Sequence, residues 1–156
     1  MTKYIAPIAS GNISAVEKND CTVRALSNAS GLSYEDAHET MRVYAGRSAK
    51  RGSTVSKLTK AYQCVGAKNI TFSGKNRNWY AKNVEQSSIT DKGLTLKTFI
   101  ANNPIGRFVV VVTGHAVCVA DGQLVDTTWV AGGKHVIATY DFTKAHSINS
   151  ALADVE

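Results

Sequence analysis

The 156-residue sequence has few of the features that mark export, membrane insertion or metal binding. It contains three cysteines, an odd number without a CxxC spacing, which argues against a disulfide framework and a zinc site of thiolates. No run of about 18 uncharged apolar residues is present, and the first residues lack an apolar stretch with a cleavage site. The four histidines show no paired-ligand spacing. We therefore expect a cytoplasmic protein without a membrane span, a metal or another cofactor.

Acidic residues are absent from residues 42–82, called the basic segment below, which carries ten Lys or Arg residues. The whole chain has a formal net charge of +6, so the eight basic and twelve acidic residues elsewhere give −4. Such an asymmetry predicts an acidic partner, either nucleic acid or an acidic protein. A solvated cationic face without a partner is the alternative interpretation.

The composition, with 44% hydrophobic and 19% charged residues, predicts one globular domain over residues 1–156. Helical periodicity and end signals predict helices in the first two thirds of the chain, and a short strand is predicted at NITF. The last third contains β-branched runs separated by turn signals, which predict an antiparallel meander. The fold class is therefore α+β, with N-terminal helices packed on a C-terminal antiparallel sheet. The predicted helices are DCTVRALSNASG, SYEDAHETMRVYAG, STVSKLTKAYQCVG and LKTFIANN, and the predicted meander strands are GRFVVVVT, HAVCVAD, QLVDTTW and HVIATYDF.

Cys21 is predicted to open the first helix, with Asn19 or Asp20 as its N-cap. The unpaired N–H groups and the dipole at a helix N-terminus favour an anion, so the thiolate form of a cysteine is stabilised there. Asp20 opposes this effect unless its carboxylate turns onto the helix's own N–H groups. A small residue that only starts a buried helix is the alternative. Cys64 lies near the apolar stripe of its own helix, which predicts an inert buried thiol.

The dipeptide Asp121-Gly122 lies between two alternating runs and predicts a hairpin with a two-residue type I′ turn. In that register Val117 faces Asp126, and His115 is the diagonal neighbour of Asp126 on the same face. This is the arrangement that a base and its orienting carboxylate need. Cys118 has the opposite parity and points to the other face. A three-residue loop would turn Asp126 away, and a histidine with only a structural role is the alternative interpretation.

The segments DCTVRAL, GHAVCV and LVD, spread between residues 19 and 128, resemble the papain-like cysteine peptidase superfamily. The similarity is to bacteriocin-leader peptidases, NlpC-type wall amidases and small papain-like proteins of phages. It implies a papain-like fold in which Cys21 opens the central helix. It also implies a catalytic triad in which Cys21 is the nucleophile, His115 the base and Asp126 the orienting residue.

The sequence departs from this family at Ala15, where many relatives carry a glutamine that contributes to the oxyanion hole. Asn19 or Asn12 is predicted to supply that amide beside the backbone N–H of Cys21. The resemblance implies hydrolysis of a peptide, isopeptide or other amide bond in a peptide or protein substrate, without a cofactor. Transglutaminase-like acyl transfer would use the same residues.

A papain-like binding module without activity is the alternative from another class. It would hold nucleic acid or an acidic protein through the basic segment, for example as a phage inhibitor of a host factor. If the chain is phage-encoded, its expected location is the host cytoplasm.

Overall fold

The computed structural model describes residues 4–5, 21–46, 55–72, 87–89, 94–112, 115–125 and 132–155. These residues form five helices and seven strands, which confirms the α+β class. In chain order the elements are β1 (Tyr4–Ile5), α1 (Cys21–Ser30), α2 (Tyr34–Tyr44), α3 (Val55–Cys64), β2 (Lys68–Phe72), β3 (Ser87–Ile89), α4 (Leu96–Asn102), β4 (Arg107–Val112), β5 (His115–Ala120), β6 (Gln123–Val125), β7 (Val136–Asp141) and α5 (Thr143–Val155).

The described strands form one sheet in the order β1-β6-β5-β4-β7-β2-β3. Strands β4, β5 and β6 pair antiparallel as consecutive hairpins, as predicted. The predicted meander is wrong in its last step, because β7 pairs with β4 and not with β6. The outer edge of β6 is taken by β1 in a parallel pair, so β7 adds to the open edge of β4. Strand β2 then pairs antiparallel with β7, and β3 pairs parallel with β2.

Two hydrophobic clusters lie on opposite faces of the sheet, and β5 separates them by alternation. Ala116, Cys118 and Ala120 belong to the cluster that includes α1, α2, α3 and the start of α5. Val117 and Val119 belong to the cluster that includes α4. We call these two sides of the sheet the α1 face and the α4 face. The sheet is therefore the middle layer of three.

Helices α1 to α4 lie where the sequence predicts, and predicted end signals are used at α1, α2 and α4. The Ser33 side chain accepts a hydrogen bond of 3.1 Å from the N–H of Asp36 and caps α2. Thr95 caps α4 in the same way, accepting from the N–H of Thr98 at 3.3 Å. Gly31 follows α1 with a φ of +80°, a conformation that favours glycine. Within the described residues, no helix is long and apolar enough to cross a bilayer.

Three described elements, β1, β3 and α5, are not predicted from the sequence. The start of α5 is capped by Asp141, whose Oδ1 accepts a hydrogen bond of 2.9 Å from the N–H of Thr143. Ala145, Ile148 and Leu152 recur at three and four residues, a helical spacing that was available as a signal.

Candidate active site

Cys21 is the first residue of α1, and its side chain is half-buried against the cluster on the α1 face. Helix α1 packs along β5 more extensively than along any other described strand. Small side chains allow the close approach, since Ala25 and Ala29 on the helix and Ala116 and Ala120 on the strand are all buried. Packing therefore fixes the position of Cys21 relative to β5.

The carboxyl end of α1 lies at the Arg107 end of the sheet. Arg107 Nη2 donates a hydrogen bond of 2.6 Å to the carbonyl oxygen of Asn28, in the last turn of α1. Carbonyls in the last turn lack partners within the helix, and a cation there is stabilising. Arg107 pairs with Ala120, the last residue of β5. The amino end of α1, with Cys21, is thus directed toward the other end of β5, where His115 begins the strand.

By strand alternation, Cys21 and His115 lie on opposite faces of the sheet. His115 pairs directly with Val112 across the β4–β5 hairpin, and Val112 belongs to the cluster on the α4 face. Directly paired residues share a face. Cys21 packs on the α1 face. The structure brings the two residues to the same end of β5 but does not place them on one face.

The hairpin between β5 and β6 has the predicted two-residue turn. Ala120 pairs with Gln123, and the φ angles of Asp121 and Gly122 are 49° and 78°. Both are positive, as a type I′ turn requires. The parity prediction is also confirmed, since Cys118 is buried on the α1 face.

Several residues of the predicted site lie outside the described residues. These are Asp126, Asn19 and Asn12, together with Ala15 and Asp20. The diagonal pairing of His115 with Asp126 and the oxyanion role of either asparagine therefore stay predictions.

The predicted burial of Cys64 is wrong, because its side chain is exposed. The buried face of α3 is formed by Leu58, Ala61 and Tyr62. Cys64 lies two residues beyond Tyr62, and at about 100° per residue its side chain is roughly 160° from that of Tyr62, at the edge of that face beside Ala61. It is an accessible thiol at the last residue of the helix.

Tyr62 joins α3 to the first turn of α1. Its hydroxyl donates a hydrogen bond of 2.7 Å to the carbonyl oxygen of Thr22, and its side chain is fully buried. Burial, and then the neighbouring Tyr140, Cys21 and Cys118, raise the pKa of the Tyr62 phenol well above its ordinary value, so the hydroxyl stays protonated. The sequence marks Tyr62 only as a member of an apolar stripe. A tyrosine in such a stripe usually finds a hydrogen-bond partner when it is buried, which is the signal that could have identified it.

In the part of the chain that the structure describes, no group of three or more His, Cys, Asp or Glu residues could hold a metal ion. The fold and the site define an α+β chain whose helix-tip cysteine packs on a mixed sheet. Comparisons with protein-family models, with curated proteins and with solved structures found no significant match. The function of the chain is therefore inferred from its own residues.

Proposed function

We propose that this chain is a papain-like, cysteine-dependent hydrolase of a peptide or other amide bond. The position of Cys21 carries the proposal. It opens a helix packed along β5, it is partly accessible, and it is directed toward the end of the strand that begins with His115. Unpaired N–H groups at a helix N-terminus stabilise a thiolate, which is the nucleophilic form of cysteine.

In the proposed reaction His115 takes the proton of Cys21, and the thiolate attacks the amide carbonyl carbon. The oxyanion accepts hydrogen bonds from the backbone N–H of Cys21 and from the amide of Asn19 or Asn12. The C–N bond then breaks, the imidazolium protonates the leaving amine, and a thioester remains on Cys21. Water, deprotonated by His115, hydrolyses the thioester to a carboxylic acid and the free thiol. Asp126 holds the imidazole tautomer.

Cys21 and His115 lie on opposite faces of the sheet, and the mechanism requires their side chains to meet. A nucleophile and its base must approach to hydrogen-bond distance, about 2.6 to 3.2 Å. The proposed mechanism therefore requires the imidazole of His115, the first residue of β5, to reach around the end of the strand to Cys21. Catalytic hydrogen bonds often tighten only when the substrate is bound. Transfer of the acyl group to an amine other than water would use the same atoms.

A binding module without activity is the second candidate, and the assignment of His115 to the α4 face favours it. If the imidazole stays there, Cys21 lacks its base, and the cationic surface becomes the distinctive feature. Lys57, Lys60 and Lys68 of the basic segment are all exposed. Such a surface suits nucleic acid or an acidic protein.

Limited alkylation distinguishes the two candidates without a substrate. Cys64 should react slowly with iodoacetamide near pH 6 although it is exposed, because it lies at the carboxyl end of its helix, where unpaired backbone N–H groups are not available to the sulfur. Buried Cys118 should react more slowly still. A catalytic Cys21 should react at least about tenfold faster than either, because the helix terminus and an imidazolium favour its thiolate. Mass spectrometry of the three peptides gives all the rates in one sample.

Replacement of the base completes this experiment. His115→Ala should slow the labelling of Cys21 about tenfold, because the cation that favours the thiolate is lost. His135→Ala is the matched control, since His135 is an exposed histidine and its loss should leave Cys21 unchanged. If Cys21 reacts no faster than Cys64, or if its rate is the same in His115→Ala as in the wild type, the hydrolase proposal fails and the binding module is favoured.

A further inference from the structure

The hydrogen bond between Tyr62 and Thr22 joins two helices at residues 40 positions apart. Thr22 directly follows Cys21 in the first turn of α1. A carbonyl inside a helix already accepts the N–H four residues on, so the phenol uses the second lone pair of the Thr22 oxygen. The bond therefore holds the first turn of α1 from outside the helix.

Two aromatic neighbours hold the ring of Tyr62. Its centroid lies 4.9 Å from that of Tyr140 at an interplanar angle of 89°, and 5.4 Å from that of Phe142 at 76°. Such edge-on contacts are favourable. Tyr140 in turn shares a hydrogen bond of 2.7 Å with Thr59 Oγ1. All four side chains are buried, so the phenol has little freedom to leave Thr22.

The first turn of α1 is a part of the helix that such an outside contact can stabilise. Its N–H groups lack partners within the helix, and helix ends fray. The Thr22 hydroxyl is buried and has no hydrogen-bond partner among the described residues, so it does not hold the turn itself. The stabilisation of an anion at a helix N-terminus falls off within one turn. Opening of this turn would therefore move the stabilising N–H groups away from the Cys21 sulfur.

We propose that Tyr62 is a positioning residue for Cys21: by holding the Thr22 carbonyl, it keeps the first turn of α1 closed and the Cys21 thiol in position to react. This role rests on the proposed function of Cys21. Tyr62 acts through Thr22 and does not itself contact the substrate.

The test compares Tyr62→Phe with Tyr140→Phe. Each variant removes one buried hydroxyl and keeps the ring, but only the first breaks the bond to Thr22. Both should lower the thermal unfolding midpoint by similar amounts. Only Tyr62→Phe should move the pH–rate profile of Cys21 alkylation to higher pH. The rate near pH 6 should then fall about threefold to tenfold, because the N–H groups of the loosened first turn are no longer held near the sulfur.

Equal Cys21 rates in wild type and Tyr62→Phe, or equal slowing in both variants, would overturn the role of Tyr62. If Cys21 responds to His115→Ala but not to Tyr62→Phe, only the positioning role fails. If wild-type Cys21 reacts no faster than Cys64, the proposed function fails and the positioning role fails with it.

Should Tyr62→Phe not fold, NMR of the wild type provides a second measurement. Carbamidomethylation of Cys21 should shift the ring resonances of Tyr62 more than those of Tyr140, because only Tyr62 is bonded to the turn that carries Cys21. Equal shifts of the two rings would overturn the role of Tyr62.

Discussion

His146 lies on α5 beside Gly31, and the fold lowers its pKa below the ordinary value. Burial is the main cause, the Arg107 guanidinium adds to it, and Asp121 acts in the opposite direction. The unfolded chain therefore binds a proton at His146 more readily than the native protein does. As the pH falls through about 6.5, the unfolded state gains protons first, so the free energy of unfolding decreases. It stays reduced below the lower pKa of the folded state.

His146→Gln is expected to weaken this pH dependence. The urea midpoint of the wild type should fall between about pH 7.5 and about pH 5, and the fall should be smaller in the variant, which lacks this titrating group. His135→Gln is the control, because it removes an exposed histidine and should keep the wild-type difference. If the urea midpoint of His146→Gln falls as far as that of the wild type, groups other than His146 cause the pH dependence.

Local patterns predict some features of the candidate site and miss others. The place of Cys21 at a helix start follows from its neighbours, because capping and periodicity are local. Cys64 is exposed because of its angular position on α3. Closeness to the apolar stripe in the sequence does not by itself fix that position. The contact of Tyr62 with Thr22 joins distant parts of the chain, and a local pattern does not identify the acceptor.

Among the elements, alternation along β5 predicts which side chains share a face but not which face α1 covers. Its parity correctly separates Cys118 from His115. The covering helix is chosen by tertiary packing, since each element buries its apolar side against whichever partner fits. Ala116 and Ala120 beside Cys118 mark the face with small side chains, where a helix can approach closely. That signal was present in the sequence, and it directs α1 away from the His115 face.

Asp121 of the β5–β6 turn and the proposed catalytic residue Asp126 should differ in the effects of their replacement. Asp121 Oδ1 accepts a hydrogen bond of 2.9 Å from the N–H of Gly106, and Asp121 has a positive φ. Asp121→Ala should lower the free energy of unfolding by about 1 to 3 kcal/mol, from the lost bond and the strained backbone, with little effect on catalysis. If Asp126 orients His115 as proposed, Asp126→Ala should lower hydrolytic activity about 10³- to 10⁴-fold.

Urea unfolding and turnover of a peptide-library substrate measure these effects separately. Asp121→Asn is the control for the turn, because asparagine tolerates a positive φ and keeps an acceptor oxygen. It should preserve most of the wild-type stability. Equal losses of activity from Asp121→Ala and Asp126→Ala, with folding intact, would contradict the predicted diagonal pairing of Asp126 with His115.

For the molecule as a whole, the strand order depends on pairings between distant segments. Strand β1 spans only Tyr4–Ile5 and pairs with β6, more than a hundred residues later. Two residues cannot show a period, so a sequence pattern does not predict this strand. Its presence on the edge of β6 accounts for the failure of the predicted meander, because β7 must pair elsewhere.

Charge is the other property of the whole molecule, and the described lysines of the basic segment lie on α3 and β2. Lys57, Lys60 and Lys68 are exposed, whereas Arg42 is paired with Glu39. If these three lysines contact the phosphates of duplex DNA, the slope of log affinity against log salt is about −2.7. The affinity should then fall about 40-fold between about 50 and about 200 mM salt.

Replacing these three lysines together with glutamine should flatten that slope by about three, because each phosphate contact contributes about one. Fluorescence anisotropy of a labelled duplex over a salt series measures it. A second triple variant removes the same charge from exposed lysines outside the basic segment and should keep the wild-type slope. The lysines of this control are Lys97, Lys134 and Lys144. If the slope of log affinity against log salt flattens equally in both triple variants, the DNA responds to the net charge of the protein and not to the lysines of the basic segment. Absence of binding at about 50 mM salt would exclude nucleic acid as the partner of this surface, because counterion release favours association most at low salt.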